Sequence, residues 1–321
     1  MVSRRAALFA LIALLALPLA PMRALADVPL KVVATTGMIA DAARQVGGDL
    51  VEVKALMGPG VDPHAYRQTR SDIVAMTRAD LVLWHGLYLE AQMDSFFHDL
   101  ARKRNVVAVA EALPRDKLRR HDSYAEKFDP HVWMIPVLWR GVVTEVQRAL
   151  TATHPEGAAT FAANAKAHLA DLDRLAIYAE RSMAGVPAGN RVLLTAHDAF
   201  GYFGAAYGLD VLGIQGISTE SEAGLNRISA LVDTLVTRQI GAVFVESSVS
   251  DRNIRAVIEG ATARGHKVQI GGELFSDAMG ADGTYEGTYI GMIDHNVTVI
   301  AAALGADVPG RGMDGKLSAG F

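Results

Sequence analysis

The 321-residue chain contains no cysteine. That absence removes disulfides, thiolate metal ligands and a thiol nucleophile together, and leaves no residue that could carry a lipid after an export leader. No basic run offsets a formal net charge of −4, so nucleic acid is not an expected partner. There is no low-complexity tract and no repeat at solenoid spacing. Past the first twenty-odd positions, nothing approaches the roughly 20 uninterrupted apolar residues that a membrane span needs.

What is present begins with "MVSRRAALFALIALLALPLAPMRALAD". Arg4 and Arg5 precede an apolar run from Ala6 to about Leu19, and Ala24-Leu25-Ala26 supplies small residues for cleavage. Residues 1–26 therefore read as a secretory leader cut after Ala26. The paired arginines suit the twin-arginine route as well as the general secretory route. Loss of residues 1–26 removes three arginines and no acid, taking the formal charge from −4 to −7. The mature chain is expected to be a free, soluble periplasmic protein, long enough for two domains.

Apolar, β-rich runs alternate with helical stretches: "LKVVATT", "LVEVKALM", "LVLW" and "VVAVA" early, "RVLLTA", "LDVLGI", "GAVFVE" and "HKVQI" late. That alternation predicts an α/β fold of two parallel-sheet lobes. Between them, Phe161, Ala165, His168, Leu169, Leu172, Leu175 and Tyr178 recur at helical spacing, predicting one long helix from Glu156 to about Ala184. Pro155 opens it and Gly185-Val186-Pro187 closes it. The expected organisation is an N-terminal lobe over 27–154, a rigid linking helix over 155–186 and a C-terminal lobe over 187–321.

The chain writes Asp-Pro-His twice, in "GVDPHAYRQT" and "KFDPHVWM". A proline before each of His64 and His131 restricts the backbone and favours stiff, extended loops. Ligands of open parallel sheets bind beyond the carboxyl ends of the strands. His64 follows "LVEVKALM", His197 directly follows "RVLLTA", Glu246 ends "GAVFVE" and Asp277 lies a few residues past "HKVQI". His131 sits in a loop before the amphipathic helix "VLWRGVVTEVQRAL". Three imidazoles and a carboxylate form a nitrogen and oxygen set suited to Zn²⁺, Mn²⁺ or Fe²⁺, and unsuited to Cu(I). Singly, His64 and His131 also fit turn hydrogen bonding, and Asp277 fits a helix N-cap. Imidazole must lose its proton to bind a cation, so reference values place the fall in affinity below about pH 6.5.

The stretches "TAHDAFGYFGAAYGLDVLGIQGISTESEAG", "FVESSVSDRNIRAV" and "GHKVQIGGELFSDAMG", then "GTYEGTYIGMIDHN", with "DPHAYRQT" and "DPHVWM" in the same order, resemble the periplasmic solute-binding proteins of manganese and zinc ABC importers, the TroA-like cluster A-I group. The resemblance covers nearly the whole mature chain. It implies two α/β lobes on one backbone helix and one buried divalent ion between them, Mn²⁺ or Zn²⁺ with Fe²⁺ also in range. The implied ligands are His64 and His131 from the first lobe and His197 and Asp277 from the second. The implied partners are a membrane permease and its ATPase, with the receptor itself a monomer. Manganese-dedicated relatives often carry Glu where this chain has His197, and many zinc-dedicated relatives carry a His-rich insertion before the second Asp-Pro-His, where "RRHDSYAEKF" holds His121 alone. His85 falls where the family commonly has Asn, at a strand end near the site, which fits either an ordinary structural histidine or an outer neighbour of the site. Glu246 is expected to orient a ligand imidazole, or else to make a structural hydrogen bond.

Two other readings share the same donors. A metal buffer or adhesin without a transporter would use the same site. An exported zinc hydrolase would need an open coordination position and a base beside bound water. The chain has no His-Glu-x-x-His helix and no serine nucleophile elbow, so no enzyme is expected. If the leader is read correctly, the mature chain starts at Asp27. Intact-mass measurement of exported protein checks this, and a retained leader or an attached lipid would refute it.

Overall fold

Runs rich in Val and Leu form the strands, and two of them, Leu81–Trp84 and Val192–Thr195, are buried on both faces. The computed structural model describes residues 28–121, 124 and 126–318; the leader expected over residues 1–26 lies outside them. Strands β1 (Leu30–Ala34), β2 (Val51–Ala55), β3 (Leu81–Trp84) and β4 (Val106–Ala108) form one parallel sheet in the order β2-β1-β3-β4. Helices α1 (Gly37–Gly47), α2 (Arg70–Arg78) and α3 (Asp94–Ala101) connect and flank it, and α4 (Pro136–Thr153) follows. Every residue of β3 is buried. Thr69 opens α2 with a reciprocal capping box: its hydroxyl accepts from the Asp72 N–H, while the Asp72 carboxylate accepts from its own N–H.

The linking element is α5 (Ala158–Ala184), 27 residues long and so about 40 Å from end to end. Pro155–Gly157, expected as its first turn, forms a separate tight 3₁₀ turn instead. The predicted stripe is the one that packs: Phe161, Ala165, His168, Leu172 and Leu175 are buried, with Leu169 and Tyr178 partly buried beside them.

Past α5 come β5 (Val192–Thr195), α6 (Gly201–Tyr207), β6 (Asp210–Gly213), α7 (Leu225–Thr237), β7 (Ala242–Glu246), α8 (Arg252–Ala263), β8 (Gln269–Leu274) and α9 (Tyr289–Ala303). Pairing is parallel again, but it divides into β5-β6 and β7-β8, with β5 lying beside β7. The strand expected at "HKVQI" runs later than its sequence suggests, through Gly271-Gly272 to Leu274. Glycine weakens most strands, yet these two serve close packing. A Cβ on Gly271 would meet Phe244 and Ala303 at 2.9 Å, and one on Gly272, at φ +156°, would meet Val299 Cγ1 at 2.4 Å.

One hydrophobic cluster runs through both halves, taking in Val32, Trp139, Phe161, Leu193 and Ile300. At its centre the Trp139 and Tyr289 rings stack at 5.1 Å and 12°. Tyr289 donates its hydroxyl to the Trp133 carbonyl and its backbone N–H to Asp41. The α5 helix packs on α1 and α4 from the first half and α9 from the second, so it is a strut inside a shared core. Among the described residues no helix is long and apolar enough to cross a membrane.

Gly272→Ala should cost about 1–3 kcal/mol through overpacking. Gly189→Ala, whose Cβ meets nothing within 4 Å, should stay within about 0.5 kcal/mol of wild type. Urea unfolding of the two variants side by side checks this; equal midpoints would contradict the close approach of α9 to β8.

Candidate metal centre

Four loops deliver the site. His64 lies beyond β2, His197 two residues beyond β5, and Asp277 three residues beyond β8, all at carboxyl ends of strands; His131 caps the short 3₁₀ turn Val132–Met134 before α4. The structure brings these four together. One donor atom from each lies within 4.8 Å of the others, and all four residues are buried. His131 Nε2 is 3.3 Å from His64 Nε2 and 3.3 Å from His197 Nε2. It is 3.5 Å from Asp277 Oδ1, and His197 Nε2 is 3.3 Å from Asp277 Oδ2. Donors 3.3 Å apart are near enough to share one ion about 2.1 Å from each.

The repeated Asp-Pro-His has a specific local geometry. In each copy the aspartate accepts the backbone N–H of the histidine two residues on: Asp62 Oδ1 from His64 at 2.8 Å, Asp129 Oδ1 from His131 at 3.0 Å. This is the turn that an Asx side chain makes with its own backbone. Asp129 does more, since its Oδ1 is also 2.7 Å from His131 Nδ1. Glu246, the last residue of β7, treats His197 the same way, accepting the backbone N–H at 2.9 Å and Nδ1 at 2.5 Å. A carboxylate behind Nδ1 accepts a hydrogen bond from the ring Nδ1–H and so turns Nε2 toward the centre of the cluster.

Asp277 does not cap a helix; the next one is α9, capped by Thr288. Its segment is pinned from two sides. Asn296 on α9 pairs with both the N–H and the carbonyl of Phe275, and Trp133 Nε1 donates to the Ser276 carbonyl at 2.7 Å. Trp133 is two residues from His131, so the indole spaces a ligand loop of one half against a ligand loop of the other. Ser248 donates to Asp277 Oδ2 at 3.4 Å. Asp277 Oδ1 is buried without a hydrogen bond, which is costly unless a cation or proton supplies the missing partner.

His85 lies beside the cluster and outside it. Its Nε2 donates to the Pro130 carbonyl at 2.7 Å, its ring meets Trp133 edge-on at 5.0 Å, and burial pushes its pKa down to about 3. Neutral and fixed, it supports the second Asp-Pro-His turn from behind. Asp62, Asp129 and Trp133 are supporting residues that pattern reading passes over. The signal was the aspartate two places before each histidine, ambiguous because aspartate before proline is common in any turn.

Burial pushes His131 down, but the carboxylates of Asp129 and Asp277 outweigh it and raise its pKa to about 9. In His197 burial is likewise outweighed by Asp277 and Glu246, and the pKa rises well above the usual imidazole value. Burial alone dominates His64 and takes it down to about 3. For Asp277 burial would raise the pKa, yet the facing imidazoles of His197 and His131 hold it well below the usual carboxylate range. An arriving cation thus meets protons on His131 and His197 and a ready lone pair on His64. Because those two pKa values are raised, the protons persist through neutral pH, and the window of pH dependence moves above the 6.5 expected from free imidazole.

The chain was compared with known proteins. The family described as "Zinc-uptake complex component A periplasmic" (ZnuA) matches residues 32–303. The manganese-binding lipoprotein MntA of Bacillus subtilis is 48% identical over 279 residues, covering 87% of this chain and 91% of the relative. The zinc-binding protein TroA of Treponema pallidum is 46% identical over 273 residues, covering 85% of this chain and 88% of TroA. A solved structure of the periplasmic zinc-binding protein TroA from the same organism superposes with a TM-score of 0.84 at 45% identity, covering 86% of this chain and 99% of that one.

Metal binding should release about one to two protons per ion at pH 7, and affinity should climb toward pH 9 by up to about tenfold per pH unit for each imidazole discharged. Calorimetric titration in buffers of different ionisation enthalpy counts those protons. Zero release at pH 7 would mean that His131 and His197 are not the groups discharged.

Proposed function

The chain belongs to the ZnuA family of periplasmic metal-uptake components, and on that footing we propose that His64, His131, His197 and Asp277 hold one Mn²⁺ or Zn²⁺ ion as cargo. It is a substrate-binding component of an ABC importer and not an enzyme. The observation that carries the ligand assignment is the convergence of three imidazole nitrogens and a buried, hydrogen-bond-free carboxylate oxygen from four loops. Such an arrangement is costly empty and is relieved by a cation.

The donor set fits both ions, and relatives named for manganese and for zinc are of similar identity to this chain. By the ordinary order of divalent affinities, nitrogen-rich donors hold Zn²⁺ more tightly than Mn²⁺. The receiving partner is a membrane permease with its ATPase. We take the receptor to act as a monomer, with lobes over 27–154 and 187–321 about the 155–186 helix. We also take it to work free in the periplasm once residues 1–26 are removed, since a chain without cysteine cannot take the lipid borne by its lipoprotein relatives.

Titration with Zn²⁺ or Mn²⁺ should show one ion per chain. Ala at His64, His131, His197 or Asp277 should each weaken binding by about 100-fold or more, while Glu246→Ala should lose about 10- to 100-fold. His98→Ala should match wild type. Two equivalent ions, or normal binding by Asp277→Ala, would refute the ligand set.

A further inference from the structure

The two Asp-Pro-His turns are alike in how the aspartate holds the histidine N–H, and they differ in what the second carboxylate oxygen does. Asp129 Oδ2 faces Arg119 Nε at 3.7 Å, within the same half of the chain. Asp62 Oδ2 crosses to the other half and accepts from the Thr219 hydroxyl at 2.5 Å. One carboxylate therefore holds the turn that carries His64 and also ties that turn to residues beyond β6.

The segment bearing Thr219 is built to transmit position. Its base is bonded to the His197 loop through Gln215 N–H to the Ala196 carbonyl at 2.9 Å and Asp198 N–H to the Gly216 carbonyl at 3.2 Å. Gln215 is buried, and its side-chain amide donates back to the carbonyls of Thr219 and Ser221 at 3.3 and 3.2 Å, drawing the loop closed on itself. Glu220 makes a second crossing contact, accepting from Gln92 Nε2 at 2.5 Å. Ile217, Ser218 and Glu220 line, with His64, Tyr88 and Leu89, a cavity of about 60 Å³ over the outer side of the site. The loop is thus bonded to the His197 loop at its base and to Asp62 at Thr219.

We propose that Thr219 is a positioning residue for cargo retention: through Asp62 it latches the His64 turn to the His197 loop, and breaking that bond opens the site for release. This rests on the reading of His64 and His197 as ligands. A short separation of the halves breaks the Thr219–Asp62 bond before it disturbs the shared core, so the latch converts a small displacement at the permease into loss of a ligand.

The test uses the full mature chain loaded with one Zn²⁺ and mixed with excess EDTA, the release rate being followed by stopped flow. Thr219→Val removes the hydroxyl and should speed release about 10-fold, the scale of a lost hydrogen bond to a charged group, with the association rate changed less than about threefold. Thr219→Ser restores the donor and should return release to near the wild-type rate. Thr234→Val, at a half-buried threonine on α7 whose hydroxyl bonds its own helix, should leave release unchanged. A Thr219→Val rate within twofold of wild type, with one ion still bound, overturns the latch alone. A serine variant as fast as the valine variant overturns it too. Failure of the ligand assignment looks different: Asp277→Ala would then bind Zn²⁺ like wild type.

Discussion

Three buried imidazole nitrogens, one of them within hydrogen-bonding distance of both others, constrain everything around them. His131 Nε2 stands 3.3 Å from both His64 and His197 Nε2, and lone pairs so close are tolerable only with a proton or a cation between them. The flanking chemistry supplies that condition. Asp129 and Glu246 sit behind His131 and His197, fix the tautomer and draw positive charge into the rings. Asp277 adds the one carboxylate that faces the centre. The surrounding carboxylates raise the pKa values of His131 and His197 above the ordinary imidazole range.

Holding the donors there is a task for the scaffold. The loops that carry the donors are braced beside each one: His64 by Asp62, His131 by Asp129, Asp277 through Asn296 and Trp133. The halves do not meet as independent bodies. They share a core through α5, α9 and the Trp139–Tyr289 stack, which resists wide swinging about a soft hinge. Near the site, contacts cross between the halves from Trp133 to Ser276 and from Thr219 to Asp62.

Much of this was legible without coordinates, for reasons that differ by element. The long helix announced itself through Phe161, Ala165, His168, Leu172 and Leu175, because burial of one helical face imposes a period that survives in the sequence. Strands β1 to β7 read directly as apolar runs. The last strand was misplaced because Gly271-Gly272 has the chemistry of a turn; only the closeness of Val299 and Ala303 on α9 explains why glycine occupies a strand there. His85 drew attention as a histidine at a strand end, yet its ring faces the Pro130 carbonyl and the Trp133 indole.

By itself, the sequence determined the donor chemistry, three histidines and an aspartate in a chain without cysteine, and it determined that His64, His197 and Asp277 follow strands while His64 and His131 sit on proline-stiffened loops. Those are local properties, set by side-chain type, proline and the alternation of apolar runs. The tertiary structure alone decided that the four converge, that Asp129 and Glu246 stand behind two of them, and that Asp62 spends one oxygen on its own turn and the other on Thr219, 157 positions away. No local propensity encodes a distance between residues so far apart. It is set by how both halves pack on α5, where a displacement of one ångström separates a bond from a gap.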